Sequence, residues 1–416
     1  MNRGTLKKQP FPGDSAYLID LCDSVTDCLH STPKWTNDGK LVVRSFNVKS
    51  GKLDLSNRWY TDEKTFQERV SRAKPKSGDL IITREAPMGE ICRIPEGVEC
   101  CLGQRLVLIQ PNPKKINSTY LLYAMLSEFV QKQIKQSDRT GSTVSNLRIP
   151  LLRNLEIPLS DSAEKISAVL SALDAKIDCN NRINAELEAM AKTLYDYWFV
   201  QFDFPDASGK PYKSSGGKMV YNATLKRQIP AGWQDKQLCQ IANITMGTSP
   251  TGDSLNDFGD GIEFFQGSTD FGWQFPTVRQ YTTQPVRMAK RGDILLSVRA
   301  PVGDLNVAHI DCCIGRGLAA LNSKDGFDGF LFYVMQYFKT VFDRRNSEGT
   351  TFGSITKDDL HALPLACPTP DLLRKYNDVV SGYNQMVFTR SMENQQLAKL
   401  RDWLLPLLMN GQVTVA

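Results

Sequence analysis

A chain of 416 residues is long enough for two or three domains, each burying its own core. Its hydrophobic fraction is an ordinary 41%, and no apolar run nears the roughly 18 residues of a membrane span. Residues 1–12 are polar and basic without an apolar signal core, so the chain reads as cytoplasmic.

The ten cysteines include no CxxC pair, and only three histidines accompany them, which argues against a disulfide framework or a His-rich metal site. Net charge is +5 and unevenly spread. Residues 1–160 carry 24 Lys+Arg against 17 Asp+Glu, whereas residues 204–369 carry 17 against 16. A basic first module fits a polyanion such as DNA.

Short β-like runs open the chain at Leu41–Val43, Leu80–Ile82 and Leu106–Ile109, and the pattern predicts a helix over Ser118–Lys135. From Ala163 to Phe199 apolar residues recur every three or four positions, through Ile166, Leu170, Leu173 and Ile177 to Leu187, Leu194 and Tyr197. At about 1.5 Å per residue this stripe predicts a rod near 55 Å long. Residues 203–232 are rich in Gly, Ser and Pro and read as a linker. Strand-like runs return at Ile262–Gln266, Ile294–Val298 and Leu318–Leu321, followed by a predicted helix over Phe327–Phe342. A second apolar stripe runs from Asp371 to Leu405.

These two series are versions of one text. Gly78-Asp79-Leu80-Ile81-Ile82-Thr83-Arg84-Glu85-Ala86-Pro87-Met88-Gly89 returns 214 positions later as Gly292-Asp293-Ile294-Leu295-Leu296-Ser297-Val298-Arg299-Ala300-Pro301-Val302-Gly303. Cys100-Cys101-Leu102-Gly103 is matched by Cys312-Cys313-Ile314-Gly315, and these doublets read as buried strand thiols. A period this long means two whole domains. The expected fold is therefore α+β: two similar, mainly β domains joined by two long antiparallel helices in a coiled coil, as a pseudo-twofold internal repeat. Asn180 and Asn394 in the helical seam either fix its register or are tolerated polar positions.

No GxxxxGK[ST] loop, no Asn/Asp-Pro-Pro-aromatic loop for an adenine amino group and no GxSxG elbow occurs. The polar loops after the strands are the alternative place for function. Arg44 and Asn47, with Gln266, Ser268 and Thr269 at the corresponding place, suit base edges. Arg84 and Arg299, before the Ala-Pro turns, suit bases or phosphates. Arg139, Thr140, Ser142 and Thr143, with Arg344, Arg345, Thr350 and Thr351, suit phosphate oxygens.

The repeated phrase ending Ala-Pro-x-Gly, with Gly141-Ser142-Thr143 to Leu155-Glu156-Ile157-Pro158-Leu159, resembles the specificity subunit of type I restriction-modification systems. So do Leu173-Asp174-Ala175-Lys176-Ile177 through Trp198-Phe199, Phe202-Asp203-Phe204-Pro205 and the segment from Leu397 to Gly411. The resemblance implies target recognition domains at 1–160 and 233–369, spacer helices at 161–202 and 370–410, and a linker at 203–232. It implies that each domain reads one half of a bipartite sequence in double-stranded DNA, with no catalytic residues. It implies two modification subunits carrying S-adenosylmethionine and two restriction subunits using ATP and Mg, with no cofactor or metal on this chain. Trp198, Phe199 and Trp403 are expected either to dock the modification subunits or to fill a joint within the chain. The rival expectation is a single-chain DNA methyltransferase or nuclease with a recognition region of this type.

Overall fold

The computed structural model describes residues 13–137, 146–343 and 354–415, and the backbone alone of 344–347. The chain forms two compact units, Met1–Asp178 with Asn394–Ala416, and Cys179–Glu393.

In the first unit two four-stranded sheets carry the core. One has the order Cys100–Leu102, Lys40–Val43, Trp59–Thr61, Trp35–Thr36, and the other Cys22–Asp27, Leu106–Pro111, Leu80–Thr83, Ile91–Arg93. Strand Leu80–Thr83 is buried along its whole length, which explains its unbroken apolar run. Leu80 and Ile82 join a cluster with helix α1 (Ser118–Leu126), whereas Ile81 joins Val43, Cys100 and Leu102 of the other sheet. This sheet is thus sandwiched between helix and sheet.

α1 is capped by Asn117, whose side chain accepts from the backbone N–H of Thr119 at 2.8 Å and Tyr120 at 3.1 Å. The single helix expected over Ser118–Lys135 is in fact two. Ser127 takes extended backbone angles, and α2 (Glu128–Ser137) begins after it.

The second unit repeats the strand order. One sheet runs Ala242–Met246, Leu318–Ser323, Ile294–Ser297, Leu305–Val307, and the other places Ile262–Phe265 beside Cys312–Ile314 in parallel. The same parallel pairing joins Lys40–Val43 to Cys100–Leu102 in the first unit. Both Ala86-Pro87 and Ala300-Pro301 are cis. The repeated Gly-Asp also has one local cause. Asp79 accepts from the Lys76 backbone N–H (2.9 Å) and the Gln110 amide (2.9 Å), and Asp293 from Lys290 (2.8 Å) and Asn322 (2.9 Å). Each carboxylate ties the turn before its strand to the neighbouring strand.

The long stripes are helices α3 (Ala163–Tyr195) and α5 (Pro370–Met409), with α4 (Asp328–Ser347) between them in sequence. α3 ends in a π turn, Asp196–Val200. Parts of α3 and α5 belong to each unit. Within the first unit Ile166 and Leu170 pack with Leu408 and Met409, and Arg401 donates to Asp174 at 2.8 Å. Tyr123 donates to the other Asp174 oxygen at 2.6 Å. Within the second unit Asn180 donates to Glu393 (2.8 Å), Asn184 to Ser391 (3.2 Å) and the Tyr376 hydroxyl to the Ala191 carbonyl (3.2 Å). As α3 residue numbers rise, their α5 partners' numbers fall, so the two segments are antiparallel in each unit.

The expected linker is more ordered than its composition suggests. Met219–Asn222 and Arg227–Pro230 form an antiparallel hairpin, and Phe204 stacks on Tyr212 and on Trp233 with ring centroids 4.7 and 5.4 Å apart. Aromatic packing orders a stretch that Gly and Ser alone would leave loose. Cys100, Cys101, Cys312 and Cys313 are fully buried strand residues, and all ten cysteines are free. Burial pushes the Cys100 and Cys312 thiols up to about 12, which leaves them unreactive at neutral pH. Among the described residues no helix is long and apolar enough to cross a membrane.

Candidate nucleic-acid interface

The loop at the end of strand Lys40–Val43 is built by its own side chains. Gly103 donates its backbone N–H to the Val43 carbonyl at 2.7 Å, and a Cβ there would lie 2.8 Å from that oxygen. Glycine is therefore required for the two strand ends to close. The chain then enters a 3₁₀ turn, Ser45–Asn47. The Asn47 side-chain oxygen accepts from the Arg44 backbone N–H (2.9 Å), and its amide donates to the carbonyls of Asp54 (2.8 Å) and Asn57 (2.9 Å). Asn47 is 2% exposed. Its hydrogen-bonding groups are spent on the loop, which corrects its expected role at base edges: it braces the loop that carries Arg44.

Arg44 itself is half-buried, with its guanidinium carbon 4.6 Å from the Trp59 ring centre, 4.8 Å from Phe46 and 5.3 Å from Trp35. Trp35 and Trp59 meet edge to face at 5.0 Å. The aromatic partners lie on three separate segments, so the sequence shows only their indole and phenyl character. Behind the loop, buried Arg69 donates to the carbonyls of Leu102 (2.7 Å), Ser31 (3.0 Å) and Leu29 (2.9 Å). Burial lowers its pKa from the usual guanidinium value, and the three carbonyls satisfy its donors. Nothing in the sequence distinguishes Arg69, because one arginine on an amphipathic helix carries no mark of burial.

The second unit builds the corresponding loop with different chemistry. Gly315 donates to the Phe265 carbonyl at 2.8 Å, as Gly103 does to Val43. Asp270 takes Asn47's place. It is buried, accepts from the Gln266 backbone N–H at 2.7 Å and pairs with Arg279 Nε at 2.8 Å. Gln266 and Thr269 are exposed and Ser268 half-buried, and the Gln266 side-chain oxygen Oε1 accepts from the Ser249 hydroxyl at 3.2 Å. The loop therefore presents amide and hydroxyl groups where the first unit presents a guanidinium.

Arg84 and Arg299, grouped by their position near Ala-Pro, are unlike. Arg84 donates to Asp27 (2.8 Å), the Leu147 carbonyl (3.1 Å) and Asn146 (3.2 Å), with 14% of its side chain exposed. This corrects its expected role as a DNA contact: it fastens residues 146–147 to the sheet. In the repeat its counterpart is Val298, whose carbonyl accepts from Ile355 as that of Arg84 accepts from Leu147. Arg299 aligns with Glu85 and is exposed. Arg139, Thr140, Ser142, Thr143, Thr350 and Thr351 lie outside the described residues, as do the side chains of Arg344 and Arg345.

Trp198 and Phe199 are 9% and 4% exposed. Phe199 meets Phe330 and Tyr376 at 4.9 Å, and Trp198 lies 6.0 Å from Tyr376. Their expected partner-docking role is corrected: they fill the core of the second unit, the other arrangement the sequence allowed. Trp403 is 61% exposed and stays available. Among the described residues no three His, Cys, Asp or Glu side chains cluster to hold a metal ion.

Two α+β units thus share one strand order and carry differing polar loops on matching strand ends. Residues 31–189 match the type I restriction modification DNA specificity domain. The chain is 29% identical over 409 residues to a Methanocaldococcus jannaschii protein provisionally named the type I restriction enzyme MjaX specificity subunit, covering 96% of this chain and 93% of that one. It is 25% identical over 370 residues to the MjaIX specificity subunit of the same organism, covering 85% and 81%. Among solved structures, the type I restriction-modification S subunit from M. genitalium aligns over 97% of both chains with a TM-score of 0.57 at 15% identity, a likeness of fold. The chain is similar along nearly its whole length to type I restriction enzyme specificity subunits, and the domain matched at residues 31–189 is a DNA specificity domain.

Proposed function

We propose that the two units are duplicated target recognition domains, each reading one half of a bipartite sequence in double-stranded DNA. The observation that carries this reading is the shared loop base with unshared donors. Gly103 and Gly315 close the same strand ends, while Arg44 stands in one loop and Gln266, Ser268 and Thr269 in the other. The two loops share a scaffold, and each displays hydrogen-bonding groups suited to different bases.

α3 and α5 act as an antiparallel coiled coil that sets the spacer between half-sites, and exposed Trp403 belongs to the surface that docks a modification subunit. The complex contains two modification subunits, which bind S-adenosylmethionine and methylate adenine, and two restriction subunits, which use ATP and Mg. It acts in the cytoplasm, and this chain binds none of those cofactors. The test is methyl transfer from S-adenosylmethionine to DNA by purified components. The chain alone transfers none, and adding the modification subunits gives methylation at a bipartite sequence. Sequence-specific methylation by the chain alone would instead establish the single-chain enzyme.

A further inference from the structure

Arg44 differs from Arg84 and Arg279 in what holds it. Arg84 and Arg279 are paired with the carboxylates of Asp27 and Asp270. Arg44 is held by ring faces, those of Trp59, Phe46 and Trp35. Contact with ring faces places the cation without using its N–H donors, which a carboxylate partner would occupy. A free arginine side chain must lose several rotatable bonds' worth of freedom to form a paired contact. Here the aromatic shelf has already restricted that freedom, and Asn47 fixes the backbone beneath it through three hydrogen bonds.

Resting on the recognition-domain reading above, we infer that the half-site read by the first unit contains a guanine, recognised by Arg44. Trp59 and Trp35 serve as positioning residues that present the guanidinium fork edge-on. Guanine is the base whose major-groove edge offers two acceptors, O6 and N7, matched to that fork. A phosphate would also accept from the fork but carries no base preference, and the experiment below separates the two contacts. The second unit, whose loop holds Gln266 and places no arginine at this point, has no such requirement.

The test uses the complex of this chain with its modification subunits, the bipartite target mapped by methylation, and duplexes in which each guanine is replaced in turn by adenine or by 7-deazaguanine. One guanine in one half-site should be preferred over adenine by about 5- to 150-fold, the range of one bidentate contact. Arg44→Ala should bring that preference close to one while leaving the other half-site's preferences unchanged. Trp59→Leu should lose part of it, and Trp59→Phe should keep it. If Arg44→Ala does not assemble, Arg44→Gln, whose amide suits adenine, should lose or invert the preference for guanine at that position. The inference is overturned if no guanine couples to Arg44. It is equally overturned if Arg44→Ala weakens all duplexes alike and lowers the salt slope by about one, the mark of a phosphate contact. A wild-type complex that recognises no bipartite target would contradict the recognition-domain reading itself.

Discussion

Phe199→Ala should destabilise the second unit by about 3–5 kcal/mol, enough to remove much of the stability of a typical domain. The ring is 4% exposed and packs within 5.3 Å of Tyr195, Phe330 and Tyr376. These partners come from α3, α4 and α5, so truncation opens a cavity where three helices meet and none can close it alone. Three edge-to-face pairs, with Phe330, Tyr376 and Trp198, are lost as well, the closer ones worth about 0.5–1.5 kcal/mol each beyond burial. Hydrogen exchange checks the location. Amides of Asp328–Phe342 should lose protection, while those of Leu80–Thr83 in the first unit keep it. Trp403→Ala gives the contrast: an exposed side chain should change stability by less than about 0.5 kcal/mol, yet weaken capture of the modification subunit. Wild-type stability in Phe199→Ala would show that this aromatic centre is not the core of the unit.

Matched four-residue insertions in α3 after Asp178 and in α5 before Asn394 should lengthen the spacer and leave both half-sites unchanged. Four helical residues add about 6 Å and rotate the downstream part of the helix by about 40°. One base-pair step advances DNA by about 3.4 Å and turns it by about 35°. The rotation matches one added base pair and the translation nearly two, so the new spacer should be one or two base pairs longer. Both helices must be lengthened together. Otherwise the Arg401–Asp174 pair and the Asn180–Glu393 pair would be forced out of register on one strand of the helical pair. Methylation mapping reads the result, and an unchanged spacer would refute the ruler.

The repeat, the mixed sheet-and-helix composition and the two long helices are legible in the sequence because each is a pattern over many residues. Gly78-Asp79 and Gly292-Asp293 match by residue type alone, although only the fold shows that each aspartate braces a turn against the next strand. Single side chains whose direction depends on distant partners are not legible in this way. Asn47 looks like any polar loop residue, yet the carbonyls of Asp54 and Asn57 draw it inward. Arg84 is bound by Asp27, 57 positions earlier, and by Asn146 and Leu147, about 60 later. Trp198-Phe199 reads as an exposed helix end until the hydrophobic face of α4 covers it. The same limit hides the Arg44 shelf, because Trp35, Phe46 and Trp59 are brought together only by the pairing of Trp35–Thr36 and Lys40–Val43 with Trp59–Thr61.

We propose that this one chain carries both halves of a DNA specificity. Genome-wide mapping of methylated adenine, in cells with the gene, without it, and with residues 233–369 exchanged for those of another such subunit, tests it most directly. A bipartite motif should vanish on deletion, and the exchange should replace one half-site while the other persists. A motif that survives deletion, or an exchange that alters both halves or neither, would contradict it.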